Sequence, residues 1–183
     1  MSTSSRENIK RTGTRHIARM GLLLAMALAL SILEGFLPPL PSPVPIRYGL
    51  SNIAVMATLL FLGRREAFVV AVLKSLFVLM TRGLIAGLVS LSGTVLSVLV
   101  MMLMDWMTDR RVSLFLLSVT GAIFHNLGQF FILVTLLSYP LPLLYLIPML
   151  IIFAILTGLL SSSLLYAMMK PMESFFKGPG QSR

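Results

Sequence analysis

Eight polar side chains that could contact a ligand lie inside or at the ends of long apolar segments. They are Glu34, Arg47, Asn52, Lys74, Arg82, His125, Asn126 and Gln129. Ionisable groups are costly in hydrocarbon, so they usually face the interior of a helix bundle or a cavity. His125 and Gln129 are four residues apart and therefore share one face of a helix. Ammonium, guanidinium, imidazole and amide groups suit a polar or anionic ligand, and we expect these residues to bind it.

Each of these residues also has a structural interpretation. Arg47 and Arg82 could anchor helix ends at lipid headgroups. The His125–Gln129 stretch could instead join neighbouring helices by hydrogen bonds. Lys74 is harder to explain in this way because it lies about two helical turns from Arg82. Glu34 is the acid on the same side that could neutralise it, so a lining or paired role is expected for Lys74.

The common motifs of catalysis and metal binding are missing from the sequence. It contains no phosphate-binding G-x-x-x-x-G-K-[ST] loop and no HExxH pair. It has no cysteine, which excludes disulfides and thiolate ligands. Asp105 and Asp109 are one turn apart and could in principle hold Mg²⁺, but they lie beside Arg110 and Arg111. We therefore expect no catalytic residue, no metal and no cofactor.

The composition is that of a membrane protein. Of 183 residues, 57% are hydrophobic and 11% are charged, with a mean hydropathy of +0.94, whereas soluble domains have about 25% charged residues. A helix crosses a bilayer with about 20 apolar residues. The sequence predicts an all-α protein with a transmembrane domain over residues 17–170 and flexible ends at 1–16 and 171–183. Its six helices are predicted at 17–37, 48–63, 67–81, 84–106, 112–138 and 143–169, the last stopped at Lys170-Pro171.

The distribution of positive charge predicts the orientation. Twelve of the 15 Lys and Arg residues lie in the leader, in the turns at 64–65 and 110–111, and from residue 170 onward. Cytoplasmic segments hold the excess of basic residues. Both termini are therefore expected in the cytoplasm, with the protein in the inner membrane of a bacterial cell. The net charge of +9 is explained by this asymmetry, so the expected partner is the lipid bilayer and not nucleic acid.

Small residues recur on two of the predicted helices. Gly21, Ala25 and Ala29 repeat every four residues on the first, forming a ridge that permits close approach of another helix. The ridge could dock a partner protein or serve internal packing. The hydroxyl residues between Ser90 and Ser97 on the fourth helix are expected to bond to their own backbone.

Four stretches carry a resemblance to a known family. They are Arg47-Tyr-Gly-Leu-Ser-Asn52-Ile, Leu-Gly-Arg64-Arg-Glu66-Ala, Gly121-Ala-Ile-Phe-His125-Asn-Leu-Gly-Gln129 and Thr157-Gly-Leu. Over roughly residues 17 to 170 the chain resembles the membrane family labelled heptaprenyl diphosphate synthase component I, also called the Gx transporter family. Its six helices and small-residue ridge also resemble substrate-binding S components of energy-coupling factor vitamin transporters. That resemblance implies a transmembrane T component docked on the ridge, a pair of ATPases, and a substrate site that opens outward.

Two functions follow from these resemblances. The first is a substrate-binding subunit of a bacterial uptake transporter, for a small anionic or amphipathic molecule. The second is the membrane subunit of a heptaprenyl diphosphate synthase in isoprenoid quinone side-chain synthesis. Prenyl diphosphate synthases hold Mg²⁺-diphosphate with DDxxD carboxylates, and this sequence has no such motif. The first function is therefore preferred.

Overall fold

The computed structural model describes residues 3–37, 49–109, 111–136, 145 and 147–177. In this part of the chain the secondary structure is helical, without strands. The six helices are α1 (Thr3–Phe36), α2 (Asn52–Phe61), α3 (Arg64–Arg82), α4 (Leu84–Met107), α5 (Leu114–Leu136) and α6 (Ile147–Lys177). The all-α architecture predicted from the sequence is confirmed.

Four of these helices contain segments long and apolar enough to cross a membrane. The segments are Gly13–Phe36, Leu84–Met107, Leu114–Thr135 and Ile147–Glu173. The chain is therefore a multi-pass membrane protein. α2 is apolar but only 10 residues long, and α3 has 19 residues interrupted by charge at Lys74 and at both ends. Crossings by α2 and α3 stay a prediction.

Two helix boundaries differ from the predicted ones by more than a few residues. α1 begins at Thr3, well before the predicted start at residue 17. α6 continues through Pro171 to Lys177, so the predicted stop at Lys170-Pro171 was wrong. A proline lacks the N–H of one helical bond and normally interrupts a helix. Here the last turns of α6 are held by Phe176, which is 7% exposed and stacks on Phe61 of α2 with ring centroids 5.2 Å apart.

α2 occupies the centre of the bundle. Its residues from Ile53 to Leu59 are all buried, and the helix contacts each of the other five. A helix that is hydrophobic on every face is stable only when it is surrounded, and α1, α3 and α4 to α6 supply that surrounding. Gly49 and Ser51, just before the start of α2, are buried as well.

α4 and α5 approach each other closely at two glycines. A Cβ at Gly128 would lie 2.6 Å from the main-chain oxygen of Ser92, and a Cβ at Gly93 would lie 2.7 Å from that of His125. Any larger residue would push the helices apart. Ser92 Oγ also donates to the Gly128 oxygen at 2.9 Å. The expectation that the α4 hydroxyls bond to their own backbone holds for Ser92, which also donates to the Val89 oxygen at 3.1 Å. It was wrong for Ser97, whose hydroxyl donates to the Gly121 oxygen of α5.

Candidate functional site

Glu34 joins the end of α1 to the beginning of α2. Its side chain is buried, with 8% of the residue exposed. Oε1 accepts a hydrogen bond of 2.6 Å from the backbone N–H of Gly49, and the backbone of Ser51 supplies a second bond. The N–H groups at the start of a helix have no partner within the helix and attract negative charge. The Glu34 carboxylate therefore accepts a hydrogen bond from backbone N–H groups just before α2 that have no partner within the helix.

Two cations surround this carboxylate. Lys74 is 2% exposed, and both Lys74 and Arg82 act electrostatically on Glu34. Within the described ranges, neither has a nitrogen in ion-pair contact with Glu34, that is, within 4.0 Å. Arg82 Nη2 instead donates to the main-chain oxygen of Ser31, which joins the end of α3 to the last turns of α1. Arg82 thus has an internal role beyond contact with lipid headgroups.

His125 lies between two glycines. Gly49 has φ +76°, and a Cβ there would lie 3.0 Å from His125 Cδ2. On the α4 side, a Cβ at Gly93 would lie 3.1 Å from His125 Cε1. The imidazole also hydrogen bonds to the backbone of Gly93 and experiences the charge of Lys74. The structure therefore brings His125, Lys74 and Glu34 together, and we name these three residues with Arg82 the Glu34 cluster.

A small cavity adjoins His125. Its volume is about 20 Å³, enough for one water molecule. Residues of α2, α4, α5 and α6 line it, together with Gly49. Asn52 is among them, and its Nδ2 donates to Ser97 Oγ at 2.9 Å, while Ser97 Oγ donates to the Gly121 oxygen at 2.8 Å. Asn52 is thus connected to both α4 and α5.

The remaining predicted site residues lie elsewhere. Gln129 is fully buried, with its side chain against Gly93, and it does not line the small cavity. Asn126 faces α6, where its Nδ2 donates to the Leu150 oxygen at 3.3 Å. Arg47 lies outside the described residues. Ligand contact by these residues stays a prediction.

The predicted small-residue ridge lies on the exposed side of α1. Gly21, Ala25 and Ala29 are exposed, and a Cβ at Gly21 would contact nothing within 4 Å. Ala25 and Ala29 line an apolar groove of about 540 Å³ between α1 and the last turns of α6. In the described part of the chain, no other helix fills this groove.

A second group of buried polar residues lies at the opposite end of α2 and α3. Arg64 Nε donates to Asp105 Oδ2 at 2.8 Å, and the Asp105 side chain is 6% exposed. We name this pair the Asp105 cluster. His16 and Glu66 form a further contact of 3.2 Å on the same side. The Asp105 carboxylate is therefore engaged by an arginine, and among the described residues no group of three metal-ligating side chains is found.

Three residues of the site were missed by sequence reasoning. Gly49 contacts the ring of His125, Ser97 receives the amide of Asn52, and Ser118 lines the cavity. The Arg-Tyr-Gly-Leu-Ser-Asn sequence contained one signal, because a glycine just before a helix often adopts a positive φ. Ser97 and Ser118 had no comparable signal, since serine is common in membrane helices.

These features define a class of protein. The chain is a multi-pass helical membrane protein with charged and amide side chains buried where its helices meet. The sequence model of the family heptaprenyl diphosphate synthase component I matches residues 23–168. The chain therefore belongs to this family, as its resemblance predicted. Comparison with curated proteins and with solved structures gives no match.

Proposed function

We propose that this protein is the substrate-binding membrane subunit of a bacterial small-molecule uptake transporter. The observation that carries the proposal is the Glu34 cluster. Charged groups within a membrane bundle are unfavourable unless paired, and they usually mark the path or the binding site of a polar solute. Here Gly49 donates to Glu34 and lies against the ring of His125, and Lys74 of a third helix acts electrostatically on both residues. Such convergence of separate helices is typical of a ligand site.

The charges of the cluster favour an anionic or amphipathic ligand. Lys74 and Arg82 are two positive charges, and Glu34 is the only carboxylate of the cluster. Glu34 Oε1 accepts the backbone N–H of Gly49, and among the described residues neither cation lies within 4.0 Å of the carboxylate. A ligand carboxylate or phosphate could therefore meet Lys74 directly and add the missing negative charge. Arg47, Asn52, Asn126 and Gln129 are proposed to complete the site.

The proposed topology has six crossings of the inner cell membrane. At about 1.5 Å per residue, the 19 residues of α3 span roughly 28 Å, close to the thickness of the hydrocarbon layer. α2 alone spans about 15 Å and would need the preceding residues to complete a crossing. The charge asymmetry supports cytoplasmic termini. Labelling of single cysteines introduced at residues 64 and 110 tests this orientation, which requires access from the cytoplasmic side.

The exposed ridge supports a partner protein in the membrane. Gly21, Ala25 and Ala29 are exposed, and Ala25 and Ala29 line the open groove. Small residues let a second helix approach the backbone of α1 closely, which strengthens dispersion contacts in lipid. In an S-component-like protein, this partner is a transmembrane T component associated with ATPase subunits.

The family name favours a second candidate. As the membrane component of a heptaprenyl diphosphate synthase, the chain would assist isoprenoid side-chain synthesis with a soluble catalytic partner. The sequence has no DDxxD motif, so that partner would have to supply the Mg²⁺-binding carboxylates.

Co-purification distinguishes the two functions. The transport function requires a T component and ATPases to remain bound to the solubilised protein, and native mass spectrometry should also detect a bound anion. We expect Ala25→Leu with Ala29→Leu to dissociate that complex by filling the ridge. Ala167→Leu, at an exposed alanine of α6 that does not line the groove, is the matched control. Recovery of a soluble prenyltransferase, with assembly insensitive to the double substitution, would contradict the transport proposal.

A further inference from the structure

The cavity beside His125 differs in chemistry from the rest of the Glu34 cluster. Two buried acceptor atoms, Asn52 Oδ1 and His125 Nδ1, have no hydrogen-bond partner among the residues that the structure describes. Both residues line the cavity, and His125 is only 4% exposed. Buried polar atoms in proteins are nearly always paired with protein or solvent. Two such acceptor atoms at one cavity therefore favour a hydrogen-bond donor in that space.

The orientation of Asn52 follows from its neighbours. Ser97 has a single hydroxyl proton, and Ser97 Oγ donates it to the Gly121 oxygen at 2.8 Å. Ser97 can then only accept from Asn52, so the amide nitrogen of Asn52 must be the atom that faces Ser97 at 2.9 Å. The carbonyl oxygen of Asn52 is left on the other side of the amide. It can accept a hydrogen bond but cannot donate one.

The protons of His125 and Ser118 are also committed. A neutral imidazole carries one N–H. The ring is hydrogen-bonded to the backbone of Gly93, and Nδ1 is the ring nitrogen without a partner in the described part of the chain, which assigns the proton to Nε2. Nδ1 then keeps a free lone pair. Ser118 Oγ donates to the Gly158 oxygen at 2.8 Å, so its proton also points away from the cavity. Asn52, His125 and Ser118 thus present acceptor atoms to one small space.

We propose that this cavity is a subsite for a hydrogen-bond donor, which receives an O–H or N–H group of the ligand and holds water when no ligand is bound. An anionic group is excluded because its lone pairs would face those of Asn52 and His125. The Lys74 and Arg82 side of the cluster has the opposite preference. The ligand is therefore a molecule with a negative group and a separate hydroxyl or amino group. This description of the ligand rests on the proposed function, whereas the acceptor character belongs to the cavity itself.

Nitrogen NMR of the histidine side chain tests the proposal. The protein is produced with ¹⁵N-labelled histidine in a His16→Gln background, so that His125 is the single labelled ring. Methanol is the donor probe, and sodium formate is an anion of similar size. We expect Nε2 to carry the proton and Nδ1 to resonate as an unprotonated, hydrogen-bonded nitrogen in water. Methanol should shift Nδ1 further, and formate should not.

A substitution measures the contribution of Asn52. Asn52→Leu removes one of the two acceptors and should weaken the methanol effect about tenfold, which corresponds to one neutral hydrogen bond. Ser92→Ala removes a hydroxyl that joins α4 and α5 through Gly128 and does not line the cavity, so it should leave the effect unchanged. The spectrum of the protein that retains Asn52 tests the acceptor character of His125 Nδ1 even where Asn52→Leu fails to fold.

Three results would overturn the proposal. They are a proton on Nδ1, a shift of Nδ1 caused by formate, or an Nδ1 resonance typical of an unbonded nitrogen in both water and methanol. None of these results depends on transport. The proposed function is tested separately, by the effect of Lys74→Met on anion affinity and by the partner proteins that co-purify. A failure of the subsite proposal can therefore be distinguished from a failure of the transport proposal.

Discussion

The Glu34 cluster and the Asp105 cluster both contain a buried carboxylate. Among the described residues, a cation contacts the carboxylate directly only in the Asp105 cluster. Asp105 receives Arg64 Nε directly at 2.8 Å. Glu34 receives backbone N–H groups, and the nearby Lys74 and Arg82 remain out of direct contact with it in the described structure. A direct contact neutralises both partners, whereas the other arrangement leaves positive charge unmatched. The comparison favours a structural role for the Asp105 cluster, and it supports the proposal that the Glu34 cluster binds a ligand.

Arg64→Met should have the largest effect on stability. It leaves the Asp105 carboxylate buried without its cation, and the free energy of unfolding should fall by about 2–3 kcal/mol, less than for a fully buried pair because Arg64 is 34% exposed. Denaturant titration in detergent measures this loss. Arg65→Met changes an adjacent exposed arginine and should alter stability by less than about 0.5 kcal/mol. Equal losses in both variants would contradict a specific role for the Asp105 cluster.

Lys74→Met should separate binding from stability. Removing the ammonium should weaken an anionic ligand more than about tenfold, while the melting temperature stays nearly unchanged. His125→Ala and Gln129→Ala should weaken binding less, and their effects should not add, because contacts to one ligand are coupled. Isothermal titration with the co-purified anion measures the affinity of each variant. If affinity fell only in proportion to the folded fraction in all three variants, the residues would be interhelical contacts.

Gly49→Ala should damage the Glu34 cluster through the backbone. Gly49 has φ +76°, and the new Cβ would lie 3.0 Å from His125. The left-handed conformation costs about 1–2 kcal/mol for other residues, so the unfolding free energy should fall by about that amount. Gly13→Ala is the control, since Gly13 is helical and its Cβ would contact nothing within 4 Å. Differential scanning fluorimetry compares the two, and Gly13→Ala should be neutral or stabilising.

Asn126→Ala should have the smallest effect. Its single hydrogen bond to the Leu150 oxygen is long, at 3.3 Å, and its loss should cost about 1 kcal/mol of stability. Ligand affinity should change little if Asn126 only joins α5 to α6. A large loss of affinity in a stable variant would extend the Glu34 cluster to this side of α5.

The sequence revealed the ionisable part of the site more readily than the part formed by packing. Glu34, Lys74 and His125 stood out because charge is rare in apolar segments, and their proximity follows from depth in a common bundle. The contact of Gly49 with His125 could not be predicted, because it depends on a positive φ and on which helices are neighbours. Asn126 shows the same limit, since its position next to His125 in sequence directs it to another helix.

Local rules also failed at the end of α6. Pro171 predicted a stop because proline removes one i→i−4 hydrogen bond of a helix, and this rule treats each helix as isolated. Stacking of Phe176 on Phe61, with Arg19 5.5 Å above the Phe176 ring, adds interactions between α1, α2 and α6 that no local pattern contains. The long apolar helices themselves were predicted well because length and hydropathy are properties of single segments.

The short central helix α2 connects the Glu34 cluster to the end of α6. Its first turn follows the backbone groups held by Glu34, and its last residue, Phe61, stacks on the end of α6. A ten-residue helix is stiff over its length of about 15 Å, so a displacement at one end is a displacement at the other. Under the proposed function, a ligand that drew the Glu34 carboxylate away from Gly49 would therefore move the aromatic contact beside the groove of α1. In that case α2 would transmit ligand binding at the Glu34 cluster to the groove of α1, where a partner protein is proposed to bind.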